Sequence, residues 1–430
     1  MNFKNSLLFL LPATMLLAQQ AERPWKDAQG RVIQAAYVSS TADSVTIRLA
    51  DGKQHTLPLS RFSAEDQAYV KSQASAPAAA AKAPVVDLDR VPFEKRVWPP
   101  QVEVPKKAVE ITATVENGPA RQFGYQSEAF EFTSQAKLAG SVMKEVAVTF
   151  EATKSLVATL PWGIVCKPPP GFERYKAALY ETRQDYITAG GPENSGGVYM
   201  SGPKIFMIPF PSLGLEMRGK TWFKDENYRS DTLVHEITHQ VMHDYLTFLP
   251  KWVIEGTAEY TENLPYKNGI FRVDGHKNGM KDAIEEAGRR GYFAQIPSLK
   301  EHLSMNRAAW DAIADDSNKG MGELYFRSYL LVYFFNHLDE EKKGSRFIKF
   351  MEAVYGEVKA LREFFADPRV KHFPDGRFSY PSNFPPPDIK PESAPFKHLG
   401  ILMEGRTHAQ LAEQMKAAYK EVGVKLSVGE

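Results

Sequence analysis

Apolar and polar residues alternate with two different periods along this chain. In residues 108–115 and 123–133 the apolar side chains tend to recur at every second position, which is typical of strands with one buried face. Residues 136–158 instead repeat apolar side chains every three or four positions, which predicts an amphipathic helix. This order of strands and helices predicts a domain of the α+β class over residues 108–430.

A smaller unit precedes that domain. Residues 45–49 alternate as a strand, Asp51-Gly52 signals a tight hairpin, and residues 55–59 continue as the next strand. These patterns predict a small β domain over residues 22–72. Residues 73–107 begin with an Ala- and Pro-rich stretch and stay rich in proline, which predicts an extended linker.

Residues 1–21 have the pattern of a secretory signal peptide. Lys4 supplies the positive start, residues 6–17 are apolar, and Ala18 or Ala21 ends a cleavage site. The apolar run is short and contains Pro12, which argues against an uncleaved anchor. We therefore expect an exported protein without stable membrane insertion.

Charge and cysteine content narrow the range of partners and chemistries. A net charge of +1 over 430 residues argues against nucleic acid or an acidic membrane surface as an obligatory partner. Cys166 is the only cysteine, so no internal disulfide can form. We interpret Cys166 as a buried apolar residue rather than a nucleophile.

The run His235-Glu236-Ile237-Thr238-His239 has the spacing of a two-histidine zinc motif. Residues four apart on a helix lie one above the other, so both imidazoles can reach one metal ion. Glu236 lies roughly 100° further round the helix, where it is better placed to hold a water molecule than to join the ligand pair. Apolar residues on the opposite arc predict a buried back for this helix.

A second helix, predicted after Pro250, offers a carboxylate as third ligand. Its sequence is Trp252-Val253-Ile254-Glu255-Gly256-Thr257-Ala258-Glu259-Tyr260-Thr261-Glu262. Glu255, Glu259 and Glu262 recur at four and then three positions, so they share one face. Two histidines, one carboxylate and an open fourth position make a catalytic zinc site.

These two segments resemble the gluzincin metallopeptidases. Residues 252–262 match the W-x-x-E-G-x-A-x-Y-x-E pattern of the aminopeptidase-like branch, and the resemblance implies that Glu255 binds one Zn²⁺. By counting residues from His239, Glu259 would fit the family spacing instead. With Glu255 as ligand, we expect Glu259 to accept a hydrogen bond from His235 and fix its tautomer.

The resemblance extends to a later helix and an earlier strand. Gly322-Glu323-Leu324-Tyr325-Phe326-Arg327 is similar to the family helix whose tyrosine stabilises the oxyanion, which implies that role for Tyr325. Residues 195–200 and 204–209 are similar to the edge strand that aligns a peptide beside the metal; a buried hairpin without that role is the alternative. We expect His243 to line the cleft or pack locally.

From about residue 123 onward the chain resembles the peptidase-MA-like group of bacterial metallopeptidases. This implies a thermolysin-like domain, with a mixed sheet and a bundle of helices around the zinc. Residues 22–72 resemble the Sla-one homology domain, which implies a small all-β barrel with a Src-homology-like fold. We expect that module to bind a protein or cell-envelope ligand or to act as a spacer, and the enzyme to be periplasmic or extracellular.

The prediction is a zinc metallopeptidase that hydrolyses peptides or proteins, with Glu236 as general base. One alternative is a zinc-containing binding protein without catalysis, although such a protein would not need Glu236. Another is an aminopeptidase, but the Gly-Gly-Val-Tyr strand start lacks the family's usual glutamate for the substrate amine. This absence favours an endopeptidase.

Overall fold

A computed structural model describes residues 23–27, 29–41, 43–49, 53–75, 91–225, 227–316, 318–339, 342–373 and 377–430. They divide into two units: the described parts of Met1–Val86, with Pro368–Lys371 and Tyr380–Pro385, form the first, and the rest forms the second. The predicted signal peptide, the Asp51-Gly52 turn and part of the predicted linker lie outside the described residues. The domain boundaries drawn from the sequence stay predictions.

The first unit contains an antiparallel sheet followed by a helix. Its strands are β1 (Arg23–Lys26), β2 (Val32–Ser40), β3 (Ser44–Leu49) and β4 (Gln54–Pro58), and helix α1 spans Ala64–Ser75. Alternate residues of β3 point inward, so Val45 and Ile47 are buried. They form a small core with Trp25, Phe62 and Val70.

The described strands of this unit form an open sheet and no closed barrel, so the predicted small all-β barrel is not found in this part of the chain. β1 and β4 are the two edges, and the chain after β4 meets β1 through an isolated antiparallel bridge between Asp27 and Phe62. Closure would need a continuous ladder between the first and last strands. Helix α1 instead covers part of the apolar face with Val70.

A mixed sheet forms one layer of the second unit. After α1 the described strands are β5 (Val102–Glu103), β6 (Thr112–Asn117), β7 (Gln122–Gln126), β8 (Phe130–Ser134), β9 (Tyr175–Tyr180), β10 (Val198–Met200), β11 (Ile205–Pro209), β12 (Leu215–Arg218), β13 (Thr221–Lys224), β14 (Tyr266–Lys267), β15 (Ile270–Phe271), β16 (Gln295–Ile296), β17 (Lys371–His372), β18 (Phe378–Ser379) and β19 (Ser427–Val428). The sheet order is β10-β11-β9-β8-β7-β6, with β9 parallel to β8 and β11 and the other pairs antiparallel. β10 therefore lies at an edge.

Helices make up the remainder of this unit, which is therefore of the predicted α+β class. They are α2 (Gly140–Thr159), α3 (Arg183–Thr188), α4 (Asp231–Val241), α5 (Lys251–Glu262), α6 (His276–Arg289), α7 (Leu299–Ser304), α8 (Arg307–Asp316), α9 (Asn318–Tyr333), α10 (Ser345–Ala366), α11 (Gly400–Met403) and α12 (His408–Glu421). A π-helical segment, Phe334–Leu338, continues α9. Among the described helices, none has the length and apolarity needed to cross a bilayer.

Aromatic residues join α2 to the sheet. Phe150 of α2 meets Phe130 and Phe132 of β8 edge-on, at centroid distances of 5.1 and 5.0 Å. The strand pattern over residues 123–133 proves to be two strands, β7 and β8, because the chain turns between them. Glu151 of α2 stabilises that turn by accepting hydrogen bonds from the Ser127 hydroxyl at 2.7 Å and the Ala129 N–H at 2.9 Å.

Helices α4, α5 and α9 pack in sequence, with α4 also contacting β10. Helix α5 packs tightly on α9 at Gly256, where a Cβ would lie 2.5 Å from the Ser328 carbonyl oxygen. A glycine inside a helix costs about 1 kcal/mol relative to alanine, and here this close packing requires it. The approach brings side chains of α9 within reach of those on α4 and α5.

Candidate metal centre

His235 and His239 lie one turn apart on α4 and point to the same side. Their ring centroids are 4.7 Å apart and their planes meet at 82°. The predicted apolar back of the helix is confirmed, because its residues are all buried: Leu233, Val234, Ile237, Val241 and, just beyond the helix, Tyr245. Ser230 precedes the helix, but its side chain makes no capping hydrogen bond.

Glu255 of α5 faces both histidines. Its Oε2 lies 3.4 Å from Nε2 of His235 and 3.2 Å from Nε2 of His239. This oxygen is buried and has no hydrogen-bond partner in the described part of the chain. The three side chains form a group whose donor atoms all lie within 4.8 Å of one another, a spacing at which they can hold a metal ion.

The donor spacing fits a tetrahedral ion. Two ligand atoms at about 2.0–2.1 Å from a tetrahedral zinc ion lie roughly 3.3–3.4 Å apart. The two distances to the Glu255 oxygen are close to that value. A buried carboxylate oxygen without a hydrogen bond is costly, and a cation between the three donors would satisfy it. The donor chemistry, two imidazoles and a carboxylate, is also that of catalytic zinc sites.

The other oxygen of Glu255 is held by its own helix. Lys251, one turn earlier, donates to Oε1 at 3.1 Å. Burial acts to raise the pKa of Glu255, but the charges of His239 and Lys251 and the closeness of both imidazole rings hold that pKa well below its usual range. Glu255 is therefore an ionised carboxylate with one oxygen directed at the histidines.

Glu262, not the predicted Glu259, contacts the outer nitrogen of His235. Nδ1 of His235 lies 2.9 Å from Oε2 of Glu262, a hydrogen-bond distance, but 3.8 Å from Oε1 of Glu259. A carboxylate that accepts from Nδ1–H leaves Nε2 free to bind a metal. The alternative of Glu259 as third ligand is disfavoured, because Glu259 lies on the Nδ1 side of the ring.

Helical geometry explains why Glu262, and not Glu259, makes the contact with His235. With about 100° per residue, Glu262 points only about 20° away from Glu255, whereas Glu259 points about 40° away on the other side. Both positions lie on the face predicted from the sequence. The rotation of α5 against α4 decides between two positions that differ so little in angle. The sequence pattern does not contain that rotation.

Glu236 lies outside the group of donors and contacts the edge of the sheet. Its Oε2 accepts a hydrogen bond from the backbone N–H of Tyr199 in β10 at 2.8 Å. Burial raises the pKa of Glu236, and the neighbouring histidines oppose that rise. The strand predicted over residues 195–200 is thus an edge strand whose backbone reaches the zinc-motif helix.

Tyr325 is brought to the centre by α9. Its ring stacks on that of His235 with a centroid distance of 5.7 Å and an angle of 13°. The negative charge of Glu255, followed by burial, raises the pKa of the Tyr325 phenol, so the hydroxyl stays protonated as a donor. Trp310 of α8 stacks near its other side, at 6.2 Å.

His243 and Cys166 do not join the donor group. Nδ1 of His243 lies 2.7 Å from the hydroxyl of Tyr199, so this histidine packs locally. Burial raises the pKa of the Cys166 thiol to about 12, which suits an unreactive residue.

No protein-family model matches this sequence, and no curated protein sequence is similar to it. The likeness to gluzincins therefore rests on the motif residues themselves. Their arrangement around His235, His239 and Glu255 is the observation from which a function can be argued.

Proposed function

We propose that this protein is an exported, gluzincin-type zinc metallopeptidase that cleaves peptide bonds. The observation that carries the proposal is the unpartnered, buried Oε2 of Glu255, held at 3.2–3.4 Å from Nε2 of His239 and His235. These three residues would hold one zinc ion. When bound, the ion supplies a Lewis acid that polarises the scissile carbonyl and activates a water molecule.

Glu236 has the position and environment of a general base. It belongs to the same helix as the histidines but points away from the donor group, toward the edge strand. Its carboxylate takes the proton of the attacking water and passes it to the leaving amine. A hydrogen bond from a backbone N–H restricts the rotation of this carboxylate without consuming its second oxygen.

Tyr325 serves as the oxyanion donor in this proposal. Its phenol is protonated and is held beside Glu255 and His235 by stacking. A hydroxyl donor in a partly dry site stabilises charge that develops on the substrate oxygen more than it would in water.

The edge strand β10 would align the substrate. In an antiparallel pair, a residue whose N–H points away from its neighbour also directs its C=O outward. Since the Tyr199 N–H points to Glu236, the Tyr199 carbonyl faces the same free edge and can accept from a peptide laid alongside. This is β-strand addition, which favours an extended peptide or protein substrate.

Two parts of the proposal rest on the sequence pattern. The segment over residues 1–21 would direct export to the periplasm or outside of a bacterial cell. The first unit would bind a protein or cell-envelope ligand, or act as a spacer.

Metal analysis combined with a mixed-peptide cleavage profile tests the proposal. The wild-type protein should hold about one zinc ion and cleave, whereas Glu236→Gln should keep the zinc and lose about 10²–10⁴-fold in rate. Glu173→Gln, at a side chain that is 95% exposed, is the matched control and should behave as wild type. Zinc without cleavage in the wild type would favour the binding-protein alternative. Full activity in Glu236→Gln would overturn the mechanism.

The same profile separates the peptidase classes. Internal cuts in the mixed peptides are the expected result for an endopeptidase. Stepwise loss of amino-terminal residues would instead support the aminopeptidase alternative.

A further inference from the structure

Two hydrogen-bonding contacts of a single residue, Tyr199, connect strand β10 to α4 and to the turn after it. The backbone N–H of Tyr199 donates to Glu236 at 2.8 Å, and the Tyr199 hydroxyl lies 2.7 Å from Nδ1 of His243. The partner in the first bond lies on α4, and the partner in the second lies on the turn that follows α4. As a three-residue edge strand, β10 has a strand neighbour on one side only, its antiparallel partner β11.

The turn that carries His243 is itself anchored from two sides. Asp244 forms an ion pair with Arg362 of α10. The phenol oxygen of Tyr245 accepts a hydrogen bond from the backbone N–H of Val165 at 3.0 Å. These neighbours hold the turn His243–Tyr245 in place, so the imidazole of His243 is a fixed point for its partner.

The chemistry of the Tyr199–His243 bond suits a permanent contact. Tyr199 is only 8% exposed, and its ring meets the imidazole at 89° with a centroid distance of 5.9 Å. Burial, with the nearby charges of Lys204 and Arg362, lowers the pKa of His243 to about 4. Burial also raises the pKa of the Tyr199 phenol. At neutral pH the contact therefore joins a protonated hydroxyl and a neutral imidazole nitrogen.

We propose that Tyr199 and His243 form a clamp that positions β10 and, through the Tyr199 N–H, the Glu236 carboxylate. Both are positioning residues: neither is among the metal-binding donors, and their effect on the reaction passes through the strand. The catalytic part of this inference rests on the proposed peptidase function, but the effect on the strand does not.

Amide hydrogen exchange in the full-length protein tests the clamp without requiring activity. In peptides that contain Tyr199, exchange of its N–H should be slow in the wild type. Tyr199→Phe and His243→Leu should speed that exchange by about threefold to tenfold, the range for losing one buried hydrogen bond. His243→Asn places a hydrogen-bonding atom near the position of Nδ1 and should restore the protection.

A matched control is available elsewhere in the protein. The Tyr333 hydroxyl lies 3.0 Å from Nδ1 of His276, a bond of the same kind. Tyr333→Phe should leave exchange at Tyr199 unchanged. Wild-type protection of Tyr199 in both Tyr199→Phe and His243→Leu would overturn the clamp, as would equal loss of protection in Tyr333→Phe.

Kinetics then separate this inference from the proposed function. If the wild type cleaves peptides, both clamp variants should lower kcat by about threefold to tenfold with zinc content unchanged, and His243→Asn should recover most of the rate. A wild-type protein without zinc or cleavage would contradict the proposed function. Amide hydrogen exchange at Tyr199 would still test the clamp. Normal kcat in variants with fast exchange would show that the strand does not position Glu236 for the reaction.

Discussion

Two histidine pairs lie on different sides of α5 and have opposite electrostatic settings. In the metal-centre pair, His235 and His239 face Glu255, and Glu262 contacts the outer nitrogen of His235. In the second pair, His276 and His337 stack at 3.8 Å and 14°.

The second pair, which we name the tyrosine-bound pair, has phenols as partners. His276 meets the Tyr333 hydroxyl at 3.0 Å, and His337 meets that of Tyr260 at 2.8 Å. Tyr260 belongs to the same helix as Glu255, so α5 supplies carboxylates to one pair and a phenol to the other.

The partners reverse the effect of burial. Burial acts to lower the pKa of His235, His276 and His337. For His235, the nearby carboxylates of Glu255 and Glu262 outweigh burial and raise the pKa well above its usual value. For His276, burial and the nearby charge of Lys277 outweigh the opposing charge of Asp274, and its pKa falls to about 4. The pKa of His337 falls well below normal.

The comparison teaches that histidines close together do not by themselves make a metal site. In the described part of the chain, the groups of side chains that could hold a metal ion include His235 and His239 but neither His276 nor His337. Carboxylates supply the negative charge and the unsatisfied oxygen that a cation needs, whereas each phenol occupies one ring nitrogen and brings no charge.

Removing the shared carboxylate should have the largest effect on this contrast. Glu255→Ala should lower bound zinc from about one ion per chain to below about one tenth, because two histidines alone hold the ion weakly. His276→Ala, the matched change in the tyrosine-bound pair, should keep its zinc and lose only stability. Plasma emission analysis of dialysed protein measures both. Retained zinc in Glu255→Ala with loss in Glu259→Ala would move the ligand to Glu259.

A smaller effect should distinguish the two neighbouring glutamates. Glu262→Gln should weaken zinc binding by about 10–100-fold, because the charged carboxylate that fixes the His235 tautomer becomes a neutral amide. Glu259→Gln should change the affinity by less than about threefold, since Glu259 is 3.8 Å from the ring nitrogen. Competition with a chromogenic chelator measures both constants. Equal losses in the two variants would contradict the assignment.

The smallest effect concerns the tyrosine-bound pair and pH. The folded-state pKa of His276 is about 4, against 6.5 when unfolded. As pH falls from 6.5 to 4, the unfolded chain takes up a proton that the folded protein does not, so stability decreases across that window and levels off below it. His276 should account for a loss on the order of 2 kcal/mol.

Urea unfolding at several pH values checks this expectation. His276→Gln should show a shallower decrease in the free energy of unfolding between pH 6.5 and 4 than the wild type. The control His55→Gln, at an exposed position, should keep the wild-type slope. An unchanged slope in His276→Gln would mean that this histidine is not held neutral by the fold.

Much of the candidate site was predictable because helical periodicity is local. The four-residue spacing of His235 and His239 requires only one helical turn, and the apolar residues before, between and after them indicate which face is buried. The shared face of Glu255, Glu259 and Glu262 follows from the same rule. The α+β class could also be predicted, since strand and helix patterns differ in period.

Other features depended on contacts that periodicity does not contain. The small all-β barrel was predicted from a resemblance, but the four described strands and α1 bury the apolar face without closing a barrel. The apolar pattern over residues 123–133 predicted strand throughout and gave no sign of the turn between β7 and β8. His243 was expected to line the cleft or pack locally, and only the structure identifies its partner, Tyr199.

The sequence by itself determined which side chains share one face of a helix: the two histidines on α4 and the three glutamates on α5. In each case the spacing along the helix sets the face. Only the tertiary structure decided which glutamate meets which nitrogen, and that the Tyr199 N–H meets Glu236. The physical reason is that these contacts depend on small rotations of α5 against α4 and on the position of β10 along the axis of α4. Such rotations are set by the packing of the whole core, including the close approach at Gly256.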